Sequence, residues 1–313
     1  MRALLIVNPN ATSTTFKYKS MVARALGGAI DLAVISTNHR GHARELAAEN
    51  AGYDLVIAFG GDGTVNEVVN GLVDLDLGKS HGPRLGIIPG GDVNVFARAA
   101  GIAADPSEAT EQLIESVAND RTRTLNLGYL RWEENNQIHT RIFNFSAGMG
   151  LDAAVVHEVD RLRKMGNRSS LRLYVVAAGK TIMNAARFGN PKPLTLVTEE
   201  SGRKKLAMAL VTATDPWTYR KGLPVRPTPR ASFDSGIDMM GITSGHASVI
   251  FNAAQILWRG GTPHGRSILH LHDQESIVLE AANALPLQAD GEAIGFAERL
   301  EIYDLPNALQ IHY

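Results

Sequence analysis

The segment Phe59-Gly60-Gly61-Asp62-Gly63-Thr64-Val65-Asn66-Glu67 holds three glycines within four residues. Without Cβ atoms the backbone turns sharply and comes close to a ligand. The apolar run Leu55–Phe59 precedes the glycines and an amphipathic stretch follows them, so they sit where a strand ends and a helix begins. N–H groups and the dipole at such a helix start favour an anion, phosphate above all. Thr64 is the expected N-cap and offers phosphate a hydroxyl. Asp62 places a carboxylate in that cradle, which has two explanations. Either a cation such as Mg²⁺ bridges it to phosphate, or the loop is a tight turn in which Asp62 caps backbone groups. A Walker-type loop does not compete: the one Gly-Lys-Thr, Gly179-Lys180-Thr181, has Tyr174 where that motif requires glycine. The dinucleotide pattern Gly-x-Gly-x-x-Gly does not follow the first strand.

Asp290-Gly291-Glu292 sets two carboxylates on either side of a glycine. Phosphoryl transfer to an alcohol needs a carboxylate that accepts the hydroxyl proton. If the chain performs that chemistry, Asp290 is the candidate base, with Glu292 orienting or replacing it. Asp-Gly is also a common hairpin dipeptide, so a plain acidic turn is the competing reading. The 10 histidines show no spacing that makes a convincing metal site, and His270 and His272 alternate as on a strand.

Elements must bring these groups to one edge. Short apolar runs at Ala3–Val7, Leu32–Ile35, Leu55–Phe59 and Leu85–Ile88 lack polar alternation, as strands buried on both faces do. Helical patterns lie between and after them, at Thr15–Leu26, His42–Asn50, Val65–Val73 and Val95–Ala100. This alternation predicts βαβ units and a parallel sheet with ligands at the strand C-termini. Asn8-Pro9-Asn10-Ala11-Thr12, the loop from Thr37 to Gly41, and Pro89-Gly90-Gly91-Asp92-Val93-Asn94 fall at such ends. From about residue 122 the pattern becomes β-rich. Thr122–Trp132 and Gln137–Phe145 flank a polar turn, and shorter runs follow at Leu194–Thr198, Leu206–Thr214, Ile237–Thr243, Ile268–His272, Ile277–Glu280 and Leu300–Tyr303. Helical inserts are expected at Leu151–Arg163, Ser170–Arg187 and Ala247–Trp258, and the Pro-rich Leu223–Arg230 as an extended surface loop.

Composition fits this picture. The chain has 313 residues, enough for about two domains. Its hydrophobic share of 44% and charged share of 20% exclude a disordered chain. With 31 Lys plus Arg against 32 Asp plus Glu, net −1, it is not a protein that coats nucleic acid. Cysteine is absent, which rules out disulfides and thiolate chemistry and fits a reducing compartment. The first apolar run has five residues, too short for a signal-peptide core, and no run is long enough to span a membrane.

Asn8-Pro9, Gly60-Gly61-Asp62-Gly63-Thr64, Asn66-Glu67, Pro89 to Arg98, Ala231 to Gly236 and Asp290-Gly291-Glu292, in that order, resemble the diacylglycerol kinase catalytic family. Its soluble bacterial lipid kinases are the nearest in pattern; sphingosine and ceramide kinases belong to the same family. The resemblance implies an α/β nucleotide-binding domain with a Rossmann-like parallel sheet (residues 1–121, joined by 305–313). It also implies a β-sandwich lipid-substrate domain (122–304) and an active cleft between the two. It implies ATP and Mg²⁺ as cosubstrates, and phosphorylation of the primary hydroxyl of diacylglycerol to give phosphatidic acid. By position, Asn8, Pro9, Asn10, Ala11, Thr12, Thr37, Gly60, Gly61, Asp62, Gly63, Thr64, Asn66, Glu67, Gly91, Asp92 and Asn94 would contact ATP. Asp62 resembles the family's Mg²⁺-linked carboxylate. Other acceptors (a sphingoid base, ceramide or a glycolipid) and a catalytically impaired binding homologue are the alternatives.

Two positions depart from the pattern. Asp92 stands where relatives carry Thr or Ser, which brings a negative charge toward nucleotide phosphate. Like charges about 4 Å apart cost roughly 4 kcal/mol at an effective dielectric of about 20. A bound metal, weak ATP binding or a replaced residue would each account for it. Ser235 stands where relatives carry an Asp that ligates a structural Mg²⁺, so Asp234 and Asp238 become the candidate ligands. Eight basic residues and no acidic one lie between Arg161 and Thr198. The stretch Arg161–Lys192 suits either an anionic membrane surface or a solvated helix face. The expected partner is a lipid substrate at a membrane surface, with no nucleic acid. The expected location is cytoplasmic with peripheral membrane association, and a homodimer stays open.

Overall fold

The computed structural model describes all residues except 76–77, 81, 166–176, 178–179, 182–193, 199–201, 221 and 244–245. The chain forms two compact units, Met1–Leu127 with Leu305–Tyr313, and Gly128–Asp304. The first runs past residue 121, where the sequence pattern changes. Strand Thr122–Glu134 begins inside it, and there Asn126 Oδ1 accepts from the Asn307 N–H at 2.9 Å.

In the first unit β1 (Arg2–Val7), α1 (Phe16–Gly27), β2 (Asp31–Ser36), α2 (His42–Glu49), β3 (Leu55–Gly60) and α3 (Asp62–Leu72) follow one another. β1 pairs in parallel with β2 on one side and β3 on the other, and β3 pairs in parallel with Arg84–Pro89. Leu4, Leu5, Ile6, Ile57, Phe59 and Ile87 are fully or almost fully buried. Each such side chain contributes about 1.5–3 kcal/mol, which is why these runs are apolar at every position. The chain passes from β1 to β2 on one side and then back across β1 to β3 on the other. The crevice between the C-termini of β1 and β3 is therefore the topological switch point, where ligands bind in such sheets. Beyond Arg84–Pro89, Ile311 pairs in parallel with Leu85.

One helix of this unit escaped the periodicity reading, Pro106–Ala118. Asp105 caps it by accepting from the Ser107 and Glu108 N–H groups, and Pro106 occupies its first turn. Its buried face includes Ala109 and Leu113.

The second unit is a large antiparallel sheet. Met208–Thr212 lies between Ile237–Ile242 and Ser146–Gly150, and Ile237–Ile242 also pairs with Ile268–Gln274. Ser276–Ala289 pairs with Glu292–His312, with Ser146–Gly150 and with Leu194–Thr198. Met149, Val211, Met239, Leu279, Leu287 and Leu300 anchor its core. The short runs expected at Ile277–Glu280 and Leu300–Tyr303 are parts of these two longer strands. Register shifts between Glu280 and Leu285, and between Leu287 and Gln288, break the alternation that would have shown their length.

The Pro-rich segment is not a surface loop throughout. Leu223–Val225 pairs with Thr218–Arg220, and Thr228 is buried with its hydroxyl 2.6 Å from that of Thr212. Most of the expected helix Ser170–Arg187 lies outside the described residues. Among the described residues no helix is long and apolar enough to cross a membrane.

Candidate active site

At the switch point two glycine pairs stand back to back. A Cβ on Gly91 would lie 2.8 Å from the Gly61 Cα, and one on Gly90 would lie 3.0 Å from the Gly60 Cα. The Gly90 N–H donates to the Gly60 carbonyl at 2.7 Å. Gly90 and Gly91 are thus demanded by close backbone approach. A Cβ on Gly60 would also meet the Thr64 hydroxyl at 2.5 Å. Thr64 is not the N-cap of α3. Gly61 holds that place without a side-chain bond, and Thr64 is buried one turn on, accepting from Asn8 Nδ2 at 2.9 Å. Asn8 Oδ1 takes the Asn10 N–H, and the Asn8 and Ala11 carbonyls take the Thr14 hydroxyl. Pro9, Asn10 and Thr12 are exposed and Ala11 is half-buried. The Thr37 N–H donates to the Val7 carbonyl, which keeps Thr37 at this same edge. The structure adds Lys19, whose Nζ lies 2.6 Å from Ser36 Oγ at the end of β2. A lone lysine in a helical pattern carries no sequence signal of that placement.

Both acids of the glycine-rich motif cap helices other than their own. Asp62 accepts from the Val95 N–H at 3.0 Å and the Phe96 N–H at 3.1 Å, the first turn of helix Val95–Ala99. That helix has no side-chain cap of its own. Burial pushes the Asp62 carboxyl up, and these backbone bonds oppose the shift. Glu67 accepts from the Gly41 and Ala43 N–H groups at 2.9 and 3.2 Å, which closes the start of α2. Of the two explanations for Asp62, the capping one is present in the structure. Asn66 is buried, its carbonyl and amide oxygens taking Asn70 Nδ2. Asn94, at φ 52°, ties its loop by accepting from the Gly91 N–H and donating to the Gly91 carbonyl. Asp92 is exposed and Gly63 half-buried in the first turn of α3.

In the second unit the Asp290 carboxylate is buried and accepts three backbone N–H groups. Oδ2 takes Asn144 at 2.7 Å, and Oδ1 takes Phe145 and Ser146 at 3.0 Å each. These three bonds make the carboxylate expected to act as base also the anchor of its turn. Glu292 is half-buried, with Arg141 at 3.1 Å. Beside the turn, the Asn144 amide and the Ser146 hydroxyl are buried without a hydrogen-bond partner among the described residues. Sequence reasoning singled out neither: Asn144 fell within the expected strand Gln137–Phe145 as one polar residue, and Ser146 opens Ser146–Gly150, too rich in glycine to read as a strand.

The candidate metal ligands Asp234 and Asp238 are not brought into a cluster. Asp238 Oδ1 is taken by His272 Nδ1 at 2.7 Å and the Asp273 N–H at 3.0 Å, while Asp234 is exposed. Among the described residues the one group of three metal-ligating types within reach of a shared ion is His39, His42 and Glu45. There His42 Nδ1 already accepts from the Asn38 N–H, and His39 lies 3.5 Å from Glu45. Of the basic stretch Arg161–Lys192, Arg161 and Lys180 both lie against Glu158, and residues 166–176, 178–179 and 182–192 fall outside the described residues.

A parallel sheet with glycine-paired loops at its switch point, followed by an antiparallel unit, is a fold shared with kinases of small molecules. The NAD kinase from Archaeoglobus fulgidus, solved in complex with ATP, superposes with a TM-score of 0.55 at 13% identity, over 100% of this chain and 94% of that one. A diacylglycerol kinase from Bacillus anthracis str. Sterne gives 0.69 at 20% identity, over 100% and 96%. These two likenesses are of fold.

Sequence carries the assignment further. Residues 2–128 match the family model of the diacylglycerol kinase catalytic domain. The diacylglycerol kinase of Bacillus subtilis (strain 168) is 27% identical over 306 residues, 93% of this chain and 89% of that protein. Residues 2–128 thus match a diacylglycerol kinase catalytic domain, and the chain is similar to bacterial diacylglycerol kinases. These findings support a lipid kinase, and an ATP-binding fold fits it.

Proposed function

We propose that the protein transfers the γ-phosphate of ATP to the primary hydroxyl of diacylglycerol, giving phosphatidic acid. The observation that carries this reading is the pair of glycine loops at the switch point. Gly60-Gly61 and Gly90-Gly91 press backbone on backbone and leave the start of α3 uncapped by any side chain. Backbone N–H groups there suit the phosphates of ATP, with Asn8 to Thr12, Thr37 and Gly61 to Thr64 as its expected contacts and Lys19 as an added cation. Asp62 faces this loop with both oxygens on backbone N–H groups, and a cation carried in by the phosphates would bind its remaining lone-pair capacity. When bound, Mg²⁺ would neutralise charge on the transferring phosphoryl group. Asp238 Oδ1 is engaged by His272 Nδ1 and the Asp273 N–H, so a second ion there would have to bind Oδ2.

In the transfer step the lipid hydroxyl gives its proton to Glu292, its oxygen bonds to the γ-phosphorus, and the bond to the β-phosphate oxygen breaks, leaving ADP. Asp290 holds the turn that presents Glu292. A membrane surface is the source of the acceptor. Phe251, Ile256 and Trp258 are exposed on helix Ala247–Trp258, and the exposed Arg259 follows them, a composition suited to an anionic interface.

Labelled ATP with mixed micelles of diacylglycerol, ceramide, a sphingoid base or a glycolipid tests the reading. Label in phosphatidic acid is the expected result. Label in another lipid alone would reassign the acceptor. Label in none of them, for the chain as given and for Asp92→Ser, would remove the kinase reading.

A further inference from the structure

A buried polar chain leads from a helix to the acidic turn. Asp152 lies in the first turn of helix Leu151–Lys164, and its Oδ2 accepts from Gln288 Nε2 at 2.8 Å. The other end of that amide, Gln288 Oε1, accepts from the Gly291 N–H at 3.0 Å. Gln288 is 1% exposed, so the amide has no alternative partner in water. Gly148 makes room for the pair: a Cβ there would run into Asp152 Oδ2 and lie 3.1 Å from Gln288 Nε2. At the far end Asp290 (φ 49°) and Gly291 (φ 75°) hold a left-handed backbone that needs support.

An ionised carboxylate accepts and never donates, whereas an amide does both. Facing Asp152, the Gln288 amide has one workable orientation, with Nε2 toward the carboxylate and Oε1 toward Gly291. We propose that Asp152 is a positioning residue that fixes the Gln288 amide and, through the Gly291 N–H, sets the Asp290-Gly291-Glu292 turn for phosphoryl transfer. Burial pushes the Asp152 carboxyl up to about 6, so above that pH the accept-only form prevails. The assignment rests on the proposed role of the turn.

Three full-length variants test it: Asp152→Asn, Gln288→Glu, and the two combined. Asp152→Asn lets the Gln288 amide flip and turn its NH₂ on the Gly291 N–H. Gln288→Glu alone sets two carboxylates together. The combination reverses donor and acceptor between the two positions while still offering Gly291 an oxygen. Each single variant should lower kcat roughly ten- to a hundredfold, the scale of about 1 Å of misplacement, with the KM for ATP within about twofold. The combined variant should recover most of the loss. Wild-type kcat in Asp152→Asn, or a combined variant no better than Gln288→Glu, would overturn the proposal. Hydrogen exchange at the Gly291 amide separates this outcome from failure of the kinase reading. Should the wild type phosphorylate no lipid, faster exchange in Asp152→Asn still supports the positioning, and unchanged exchange overturns it.

Discussion

The glycine-rich motif and the acidic turn both hold their carboxylates against backbone N–H groups, but they do so for different ends. Asp62 and Glu67 reach out of α3 to cap the starts of two other helices. Their bonds tie three helices together beneath the loop where phosphate would sit. Asp290 reaches across its own sheet to the start of strand Ser146–Gly150 and is engaged there by three N–H groups. In the first unit the acids build a cradle of backbone groups. In the second an acid anchors the turn that carries Glu292, the base under the proposed reading. A motif acid can thus be required for geometry as well as for its charge.

The largest effect should come from Asp290→Ala. It strands three backbone donors, each costing about 1–3 kcal/mol when buried and unpaired, and thermal unfolding should show a loss of several kcal/mol. A variant as stable as the wild type would break the contrast drawn here. Glu292→Gln sharpens it from the other side: turnover should fall about a hundredfold or more while the unfolding temperature stays put. If turnover survives, the proton goes elsewhere.

Asp152→Asn comes next and depends on pH. The folded pKa is raised from 3.8 to about 6, so between those values the folded state holds more proton than the unfolded one. The stability this group contributes is present below about pH 4 and is lost as pH rises through about 6. The loss amounts to roughly 3 kcal/mol for about two units. Stability measured from pH 4 to 7.5 should therefore decline less in the variant than in the wild type. Gly91→Ala, which drives a Cβ into the Gly61 backbone, should cost about 1–3 kcal/mol and raise the KM for ATP. The smallest effect should be Asp92→Ser. The residue is exposed, solvent and salt screen its charge, and about 1 kcal/mol, a KM for ATP lowered several-fold, is the expected scale.

The first unit was largely legible because strands buried on both faces read as plain apolar runs, and β1 to β3 needed no partner to be recognised. Pro106–Ala118 was also legible in principle: Asp105-Pro106 followed by Glu108 is a helix start written in the sequence. The cap made by Asp62 was not, since its donors lie 33 and 34 residues away and only the fold brings them to it. Ser146–Gly150 illustrates tertiary context prevailing over propensity. Two glycines and small residues make a poor strand alone, yet Met208–Thr212 on one side and Leu287–Ala289 on the other hold it extended and buried. Gln288 read as one polar residue in an apolar run, and nothing nearby in sequence marked Asp152 as its partner. The pairing of carboxylates around Gly291 was visible, whereas the division of labour between them was not.

Leu309 and Ile311 are fully buried in the first unit, and Ser116 accepts from the Tyr313 N–H. The first unit therefore draws on two stretches far apart in the sequence, Met1–Leu127 and Leu305–Tyr313. During synthesis its sheet waits, unfinished, until the intervening unit has left the ribosome. A fragment cut to the family-matched residues alone would expose the flank of Arg84–Pro89 that Ile311 covers, and would invite other strands to take that place.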